Sequence, residues 1–384
     1  MTKAAELAKM GEVLTNSQIG GRRNIVINGA MQVAQRGTST TLAHDGTTDG
    51  YSPDRFRFTM GGTHEQLDGT VAQVADHPTS ANGKSLKWTT GTAESSYDAD
   101  EYVYIVQKIE AQNLQHLQYG NSNAEAITIS FYVKSSITGT YAFGLYKEDS
   151  TARIFNKTYT IDSANTWEKK TLTFVGDTDS GAGIVNDTGT GLYVSWHLSA
   201  GTNAKGGGSV GAWKNYGGLT DWADGQGTNA VMTTASATWQ MTECQVEVGS
   251  QATPFEHRSY GEELALCQRY FVKSFNFGTT PAHNLTGGAE SVLACFANNN
   301  AYGSIINFPV EMRSTPTLAI YNSNNIGGSS GRWAMYNGSW NTASSGTFVG
   351  ATEKGFAPQV VTSSGMTAKE AYLFAGNWTC EAEL

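Results

Sequence analysis

The sequence predicts a mainly β protein: a short N-terminal helix, an antiparallel β-sandwich, then a smaller C-terminal β domain. Three observations carry that reading. Glycine is abundant at 44 of 384 residues, and charged residues make up only 15%, well under the roughly 25% of an average globular chain, as expected of turn-rich β structure. Residues 2–18 hold the strongest helical period in the chain. From Arg22 to about Arg258, short runs alternate apolar and polar residues between clusters of Gly, Asn, Asp and Ser.

The first element spans residues 1–21. Leu7, Met10 and Leu14 recur at spacings of three and four, with Glu6, Lys9 and Glu12 on other faces. A helix this short is marginal alone in water, so its apolar stripe needs a partner. A parallel bundle of copies, a socket on another protein or its own domain would each supply one. Attachment and oligomerisation are the roles assigned to it, with Gly20-Gly21 as a hinge behind it.

Residues 22–258 read as the sandwich. In "NIVINGAMQVAQRG", Ile25 and Ile27 alternate, Asn28-Gly29 turns, and Met31 and Val33 resume the pattern. In "YSPDRFRF", Phe56 and Phe58 point inward while Arg55 and Arg57, like Arg36, reach carbonyls or carboxylates at the sandwich edge. "AITISFYVKSS" sets Ile127, Ile129, Phe131 and Val133 against Thr128, Ser130, Tyr132 and Lys134, and "GLYVSWHLSAG" sets Leu192, Val194, Trp196 and Leu198 against Tyr193, Ser195 and His197. Tyr132, Tyr146, Tyr193 and His197 thus share the phase opposite the core, with Lys134 beside them and Tyr104 on the preceding strand. Aromatic rings pack on the apolar face of a sugar while amine and imidazole bond its hydroxyls, so this face is a candidate saccharide site. The alternative is a face covered by a second layer or a neighbouring subunit.

The segment from Gly201 to Gly227 is too polar and glycine-rich for a strand and reads as a long surface loop. Its Trp213, Tyr216 and Trp222 are expected to be exposed receptor contacts, the alternative being that each tryptophan pins its own loop. Residues 259–275 form a linker helix or turn, with Leu264, Leu266 and Cys267 inward. Residues 276–384 return to strands such as "SVLACFAN" and "TLAIYN", with Trp333, Tyr336 and Trp340 expected to be exposed on the loop from Asn322 to Gly346. This domain is small enough that neighbouring subunits would complete its core.

Composition also narrows the function. The net charge of −9 is spread thinly and leaves no basic stripe for nucleic acid or anionic lipid. The N-terminus lacks the apolar core of a secretory signal, and no run of 18 apolar residues offers membrane insertion, so the chain is expected first in the cytoplasm. Cys244, Cys267, Cys295 and Cys380 have no CxxC spacing, which argues against a zinc site or a disulfide framework and for free buried thiols. The G-x-S-x-G matches at 207–211 and 327–331 lie in glycine-serine loops with no helix behind them, so no catalytic residue is assigned. The carboxylates of Asp45–Tyr51 and Ser96–Tyr102 read as solvated turns, with structural calcium a weaker second and no cofactor otherwise.

In this order, "RRNIVINGAMQVAQRGTS", "YSPDRFRF", "AITISFYVKSS", "TWEKKTLTF", "ECQVEVGSQATPFEHRSYGEELALCQRYF" and "GNWTCEAEL" resemble a family of bacteriophage tail-fibre and related virion proteins, and the middle region is similar to the jelly-roll sandwich of carbohydrate-binding modules. The resemblance implies a virion protein assembled in the host cytoplasm: a homotrimer, joined to other virion proteins through its N-terminal helix, that binds a host-surface glycan without catalysis. A structural adaptor or decoration protein and a glycan depolymerase are the alternatives. Host, receptor and place in the virion are not written in these residues.

Overall fold

The computed structural model describes Lys3 and residues 23–208, 210–283, 289–322, 331–342, 348–362 and 364–384. The helical stripe of Leu7, Met10 and Leu14 lies outside the described residues, as do Ser209 and residues 327–330 of the two G-x-S-x-G matches. The described residues form two compact units, one from residues 23–32 with Ser39–Ser259, the other from Val33–Thr38 with Tyr260–Glu383.

The first unit is an antiparallel jelly-roll sandwich. Its strands are β1 (Ser39–Ala43), β2 (Asp49–Tyr51), β3 (Arg57–Gly61), β4 (Asp68–Val74), β5 (Ser85–Thr90), β6 (Tyr102–Glu110), β7 (Ile127–Ser135), β8 (Gly139–Lys147), β9 (Arg153–Ile161), β10 (Glu168–Phe174), β11 (Thr190–Ala200), β12 (Lys214–Asn215) and β13 (Thr238–Val248). One sheet has the order β1-β4-β5-β13-β7-β10 and the other β12-β9-β8-β11-β6-β3-β2. The inward phase is the one the alternation predicts: Ile127, Ile129, Phe131 and Val133 face Leu192, Val194, Trp196 and Leu198, all fully buried. Large rings interlock at the centre, Phe58 stacking on Trp88 at 4.3 Å and Trp196 meeting Phe131 and Phe143 edge-on at 5.8 and 5.1 Å. Burying each such side chain contributes about 1.5–3 kcal/mol before entropy is charged against it.

The opening stretch departs from its expected hairpin. Residues 24–38 contain no strand, and Asn28 has φ 62° and Met31 φ 56°. Val26, not Ile25 or Ile27, is the residue buried against the core, because side-chain amides rather than a ladder set the phase. Asn24 Oδ1 accepts from the Val26 and Val246 amides at 3.0 Å each, and its Nδ2 donates to the Cys244 carbonyl at 2.9 Å. Gln107 brackets Ile27, accepting from its amide at 2.7 Å and donating to its carbonyl at 2.8 Å. From the far end of the unit, Glu256 accepts from the Asn24 amide at 2.9 Å, and Arg258 donates to the carbonyls of Asn24 and Val26. Two motifs some 220 residues apart in sequence therefore close one seam. Arg55 donates to the Lys108 carbonyl at 2.7 Å and Arg57 pairs with Asp49 at 2.6 Å, as a sandwich edge requires.

Arg36 is a correction: it belongs to the second unit, 3.9 Å over the Phe271 ring and paired with Glu381 and Glu383 at 3.3 and 3.1 Å. In that unit α1 (Tyr260–Gln268), the stretch read as a linker, buries Cys267 while Leu264 and Leu266 are only half-buried. It leads into β14 (Phe271–Lys273), followed by β15 (Ala289–Ala297), β16 (Asn300–Tyr302), β17 (Ile306–Asn307), β18 (Thr317–Tyr321), β19 (Ala334–Tyr336), β20 (Trp340–Thr342), β21 (Phe348–Thr352), β22 (Gly355–Val361) and β23 (Ala371–Glu381). β23 is the spine, pairing with β14, β15, β18 and β19 along its length. The unit has a core of its own in Leu293, Met312, Trp333, Phe356, Phe374, Trp378 and Cys380. All four cysteines are buried, and none is in a disulfide. Among the described residues no helix is long and apolar enough to cross a membrane.

Candidate functional site

The outer face of the seven-stranded sheet gathers most of the predicted aromatic residues. Register places Thr59, Tyr104 and His197 in one row across β3, β6 and β11, and Lys108, Tyr193, Tyr146 and Ile154 in another across β6, β11, β8 and β9. Between the rows lie Val106, Ser195, Gly144 and Asn156. The rings touch: Tyr146 meets Tyr193 at 5.0 Å, and Tyr102 stacks on Tyr104 at 5.9 Å. Tyr102 is the residue sequence reasoning missed. The signal was available, since Tyr102 shares the phase of Tyr104 in "EYVYIVQKIE".

The loop from Gly201 to Gly227 folds back over this face. Trp222, expected to be exposed, is only 8% exposed, with Tyr104 at 5.3 Å, Tyr146 at 5.4 Å, His197 at 5.8 Å, Tyr216 at 6.1 Å and Tyr193 at 6.3 Å around it. Trp213 also turns inward, against Phe155 and Tyr119, donating its indole N–H to the Val175 carbonyl at 2.7 Å. Both tryptophans thus pin their own loop, because a large ring gains more from a contact on the sheet than from water. Ion pairs complete the fastening: Lys214 reaches Asp221 at 2.7 Å and Asp224 at 2.5 Å. Burial lowers the Lys214 pKa, but hydrogen bonds and charge from the two aspartates outweigh it and hold it above the ordinary value. Asn156 donates to the Asp221 carbonyl at 2.6 Å, and Gln226 accepts from the Ala142 amide at 2.7 Å.

What stays accessible is a rim. Tyr102, Tyr104, Tyr146 and Tyr216 are half-buried around the Trp222 ring, while Tyr193 and His197 lie beneath it. Burial holds the His197 imidazole down to about 3, so it is neutral at ordinary pH, and burial pushes the Tyr104 and Tyr216 hydroxyls up to about 12. Lys108 sits 4.6 Å over the Tyr193 ring. Asn156 Oδ1, His197 Nδ1 and Trp222 Nε1 are buried without a protein hydrogen-bond partner, a set of polar atoms under an aromatic surface. The accessible part of the face is therefore planar aromatic surface, with these polar atoms enclosed beneath it.

Tyr132 and Lys134 are not part of it. β7 belongs to the six-stranded sheet, so their outward phase points from the other side of the sandwich. There Lys134 pairs with Asp76 and lies 4.9 Å over the Trp167 ring, and Lys169 lies 5.9 Å over Tyr132. Phase along a strand does not say which sheet the strand joins.

In the second unit Trp333, expected to be exposed, is 1% exposed and packs edge-on to Phe374 at 5.0 Å. It lies flat over Gly376 of β23, where a Cβ would stand 2.4 Å from the indole. Tyr336 is exposed and pairs across β19 and β20 with Trp340, rings 5.4 Å apart. Of the two acidic loops, Asp49 is taken by Arg57, while Glu101 turns inward to meet Glu94 and His64.

No protein-family model and no curated protein matches the sequence. Solved structures of similar shape include tailspike protein 4 of bacteriophage CBA120, 13% identical over 59% of this chain and 21% of that one, with a TM-score of 0.32. A putative sugar-binding protein from Bacteroides thetaiotaomicron is 9% identical over 59% of this chain and all of its own, TM-score 0.30. A family 11 carbohydrate-binding module from a cellulosomal cellulase of Clostridium thermocellum is 11% identical over 58% of this chain and 98% of its own, TM-score 0.27. This chain thus spans about a fifth of the tailspike but nearly the whole of the two smaller proteins. Scores this low mark a distant likeness of shape.

Proposed function

We propose that the chain is a non-catalytic glycan-binding subunit of a bacteriophage particle, and that it binds saccharide on the outer face of the seven-stranded sheet. The observation that carries the binding site is the rim of half-buried tyrosines, Tyr102, Tyr104, Tyr146 and Tyr216, around the buried Trp222 ring. Sugar rings stack on such surfaces by their axial C–H faces, and their hydroxyls satisfy polar atoms at the edge. Tyr132, Trp213, Trp222 and Trp333 are not direct contacts, nor are Tyr193 and His197, which are buried beneath Trp222, whereas Tyr102 stands on the rim. The virion setting is supported by the ordered sequence motifs. Two of them meet in one seam, through Asn24 of the first and Cys244 and Glu256 of the other. A trimer attached through residues 1–20 belongs to the same proposal, supported by the apolar stripe of that segment and by exposed Phe296 and Tyr302, stacked at 4.7 Å on the second unit.

The test is a glycan array probed with the full chain, followed by calorimetric titration of the best saccharide. Tyr146→Ala and Tyr216→Ala should each weaken binding about two- to twelvefold, the effect of losing one aromatic contact worth about 0.5–1.5 kcal/mol. Equal binding by both variants would move the site elsewhere. New reducing ends after incubation with the bound polysaccharide would replace the binding protein with a depolymerase.

A further inference from the structure

His64, Glu94 and Glu101 come from two connections of the sandwich, His64 from β3–β4 and both glutamates from β5–β6. His64 follows β3, Glu94 follows β5, and Glu101 immediately precedes β6. Their side chains are 2%, 1% and 1% exposed. One donor atom from each lies within 4.8 Å of the others. His64 Nδ1 is 3.4 Å from Glu94 Oε1 and 3.5 Å from Glu101 Oε1, and no partner of either ring nitrogen reaches ordinary hydrogen-bond geometry, the Gly61 and Tyr102 backbones being the other polar neighbours of the ring. These separations exceed the roughly 2.7–3.2 Å of a charge-assisted hydrogen bond. They agree with the edge of a tetrahedron of N and O ligands around one ion, which is about 3.3–3.4 Å for bonds near 2.0–2.1 Å.

The carboxylates are held in place for such a role. Glu94 Oε1 accepts the amides of Glu65, Gln66 and Leu67 at 3.1, 3.4 and 3.0 Å, and Glu101 Oε2 accepts the Asp98 amide at 2.9 Å, leaving Glu101 Oε1 turned to the histidine. Two buried carboxylates beside an imidazole with unused lone-pair capacity form a site short of positive charge.

We propose that His64, Glu94 and Glu101 bind a divalent transition-metal ion of the zinc class, which ties the β3–β4 and β5–β6 connections together across the two sheets. The donor set decides the class: one imidazole and two carboxylates suit zinc, whereas calcium takes six to eight oxygens and would find too few here. The site is independent of the cysteines, whose spacing argued against zinc. It also lies next to the saccharide face. Glu101 adjoins Tyr102, and the Glu101 carbonyl accepts from Gly201, where the covering loop begins, at 2.7 Å. Metal loss is therefore expected to loosen the loop as well as the sandwich end.

The test uses the full chain, stripped with a chelator and titrated with zinc chloride, then with cobalt chloride as a spectroscopic probe. The expected results are about one equivalent of zinc retained per chain by elemental analysis, a melting temperature raised by several degrees on zinc addition, and visible absorption bands of four-coordinate cobalt. His64→Ala and Glu101→Gln should each weaken zinc binding about 100-fold or more, since even indirect ligand partners contribute tenfold to a hundredfold. Should the variants fail to fold, the cobalt spectrum of the parent chain still decides the matter. Absence of both stoichiometric zinc and the cobalt bands overturns the site, and stabilisation by calcium but not zinc overturns the assignment of the metal. Glycan binding by the stripped chain is a separate readout, so failure of the metal site leaves the saccharide proposal standing.

Discussion

Replacing Trp222 by alanine should unfasten the loop that covers the candidate face. The side chain is 8% exposed and lies within 6.3 Å of five aromatic rings, so nearly all of its surface is in contact with protein. A tryptophan presents about 200 Å² on folding, which at about 25 cal/mol per Å² gives up to about 5 kcal/mol. Large-to-alanine changes in cores fall at about 3–5 kcal/mol, and this position belongs in that range if the loop and the sandwich unfold together. If the loop lifts alone, the loss is capped at the free energy that holds it down, and the remaining sandwich stays folded. Calorimetry of the full chain measures the first case. Limited proteolysis detects the second, as new cleavage between residues 201 and 227. Trp222→Phe should lose less than half as much, since a smaller ring still fills most of the socket. A Trp222→Ala chain within about 0.5 kcal/mol of the parent, with an uncleaved loop, would show that the tryptophan is not the fastening.

Two further outcomes follow from single positions. His197 is fully buried with its pKa lowered to about 3 by desolvation, so the unfolded chain takes up the proton first as pH falls below about 6.5; its contribution to stability is complete above that pH and is lost progressively toward 3, by up to about 1.4 kcal/mol per pH unit. His197→Gln should flatten the stability profile over that window in urea titrations, and an unchanged slope would contradict a buried neutral imidazole. Gly29→Ala should cost about 2 kcal/mol or more, because its Cβ would stand 2.1 Å from the Cys244 carbonyl in a seam where both backbones are hydrogen-bonded; a melting temperature equal to that of the parent would refute this close approach.

The sequence by itself determined what depends on local order. Period-two alternation placed Ile127, Phe131, Leu192 and Trp196 in the core, since successive side chains of a strand must point to opposite faces. The same alternation put Tyr104, Tyr146, Tyr193 and His197 on the outside of their strands, and the structure brings these four together. What only the tertiary structure decided depends on long-range partners. It assigned β7, and with it Tyr132 and Lys134, to the opposite sheet, and it drew Trp213 and Trp222 down onto the protein surface. It sent Arg36 to Glu381 and Glu383 in the second unit, and it replaced the expected hairpin at Asn28-Gly29 with amide contacts from Asn24 and Gln107. It also brought His64 together with Glu94 and Glu101, which lie about 30 and 37 residues further along the chain. Strand phase is a property of neighbouring bonds and can be read along the chain. The choice of sheet, the covering of a face and the meeting of distant donors are set by which surfaces must be buried together, and in a nonlocal β topology that information is spread over the whole chain.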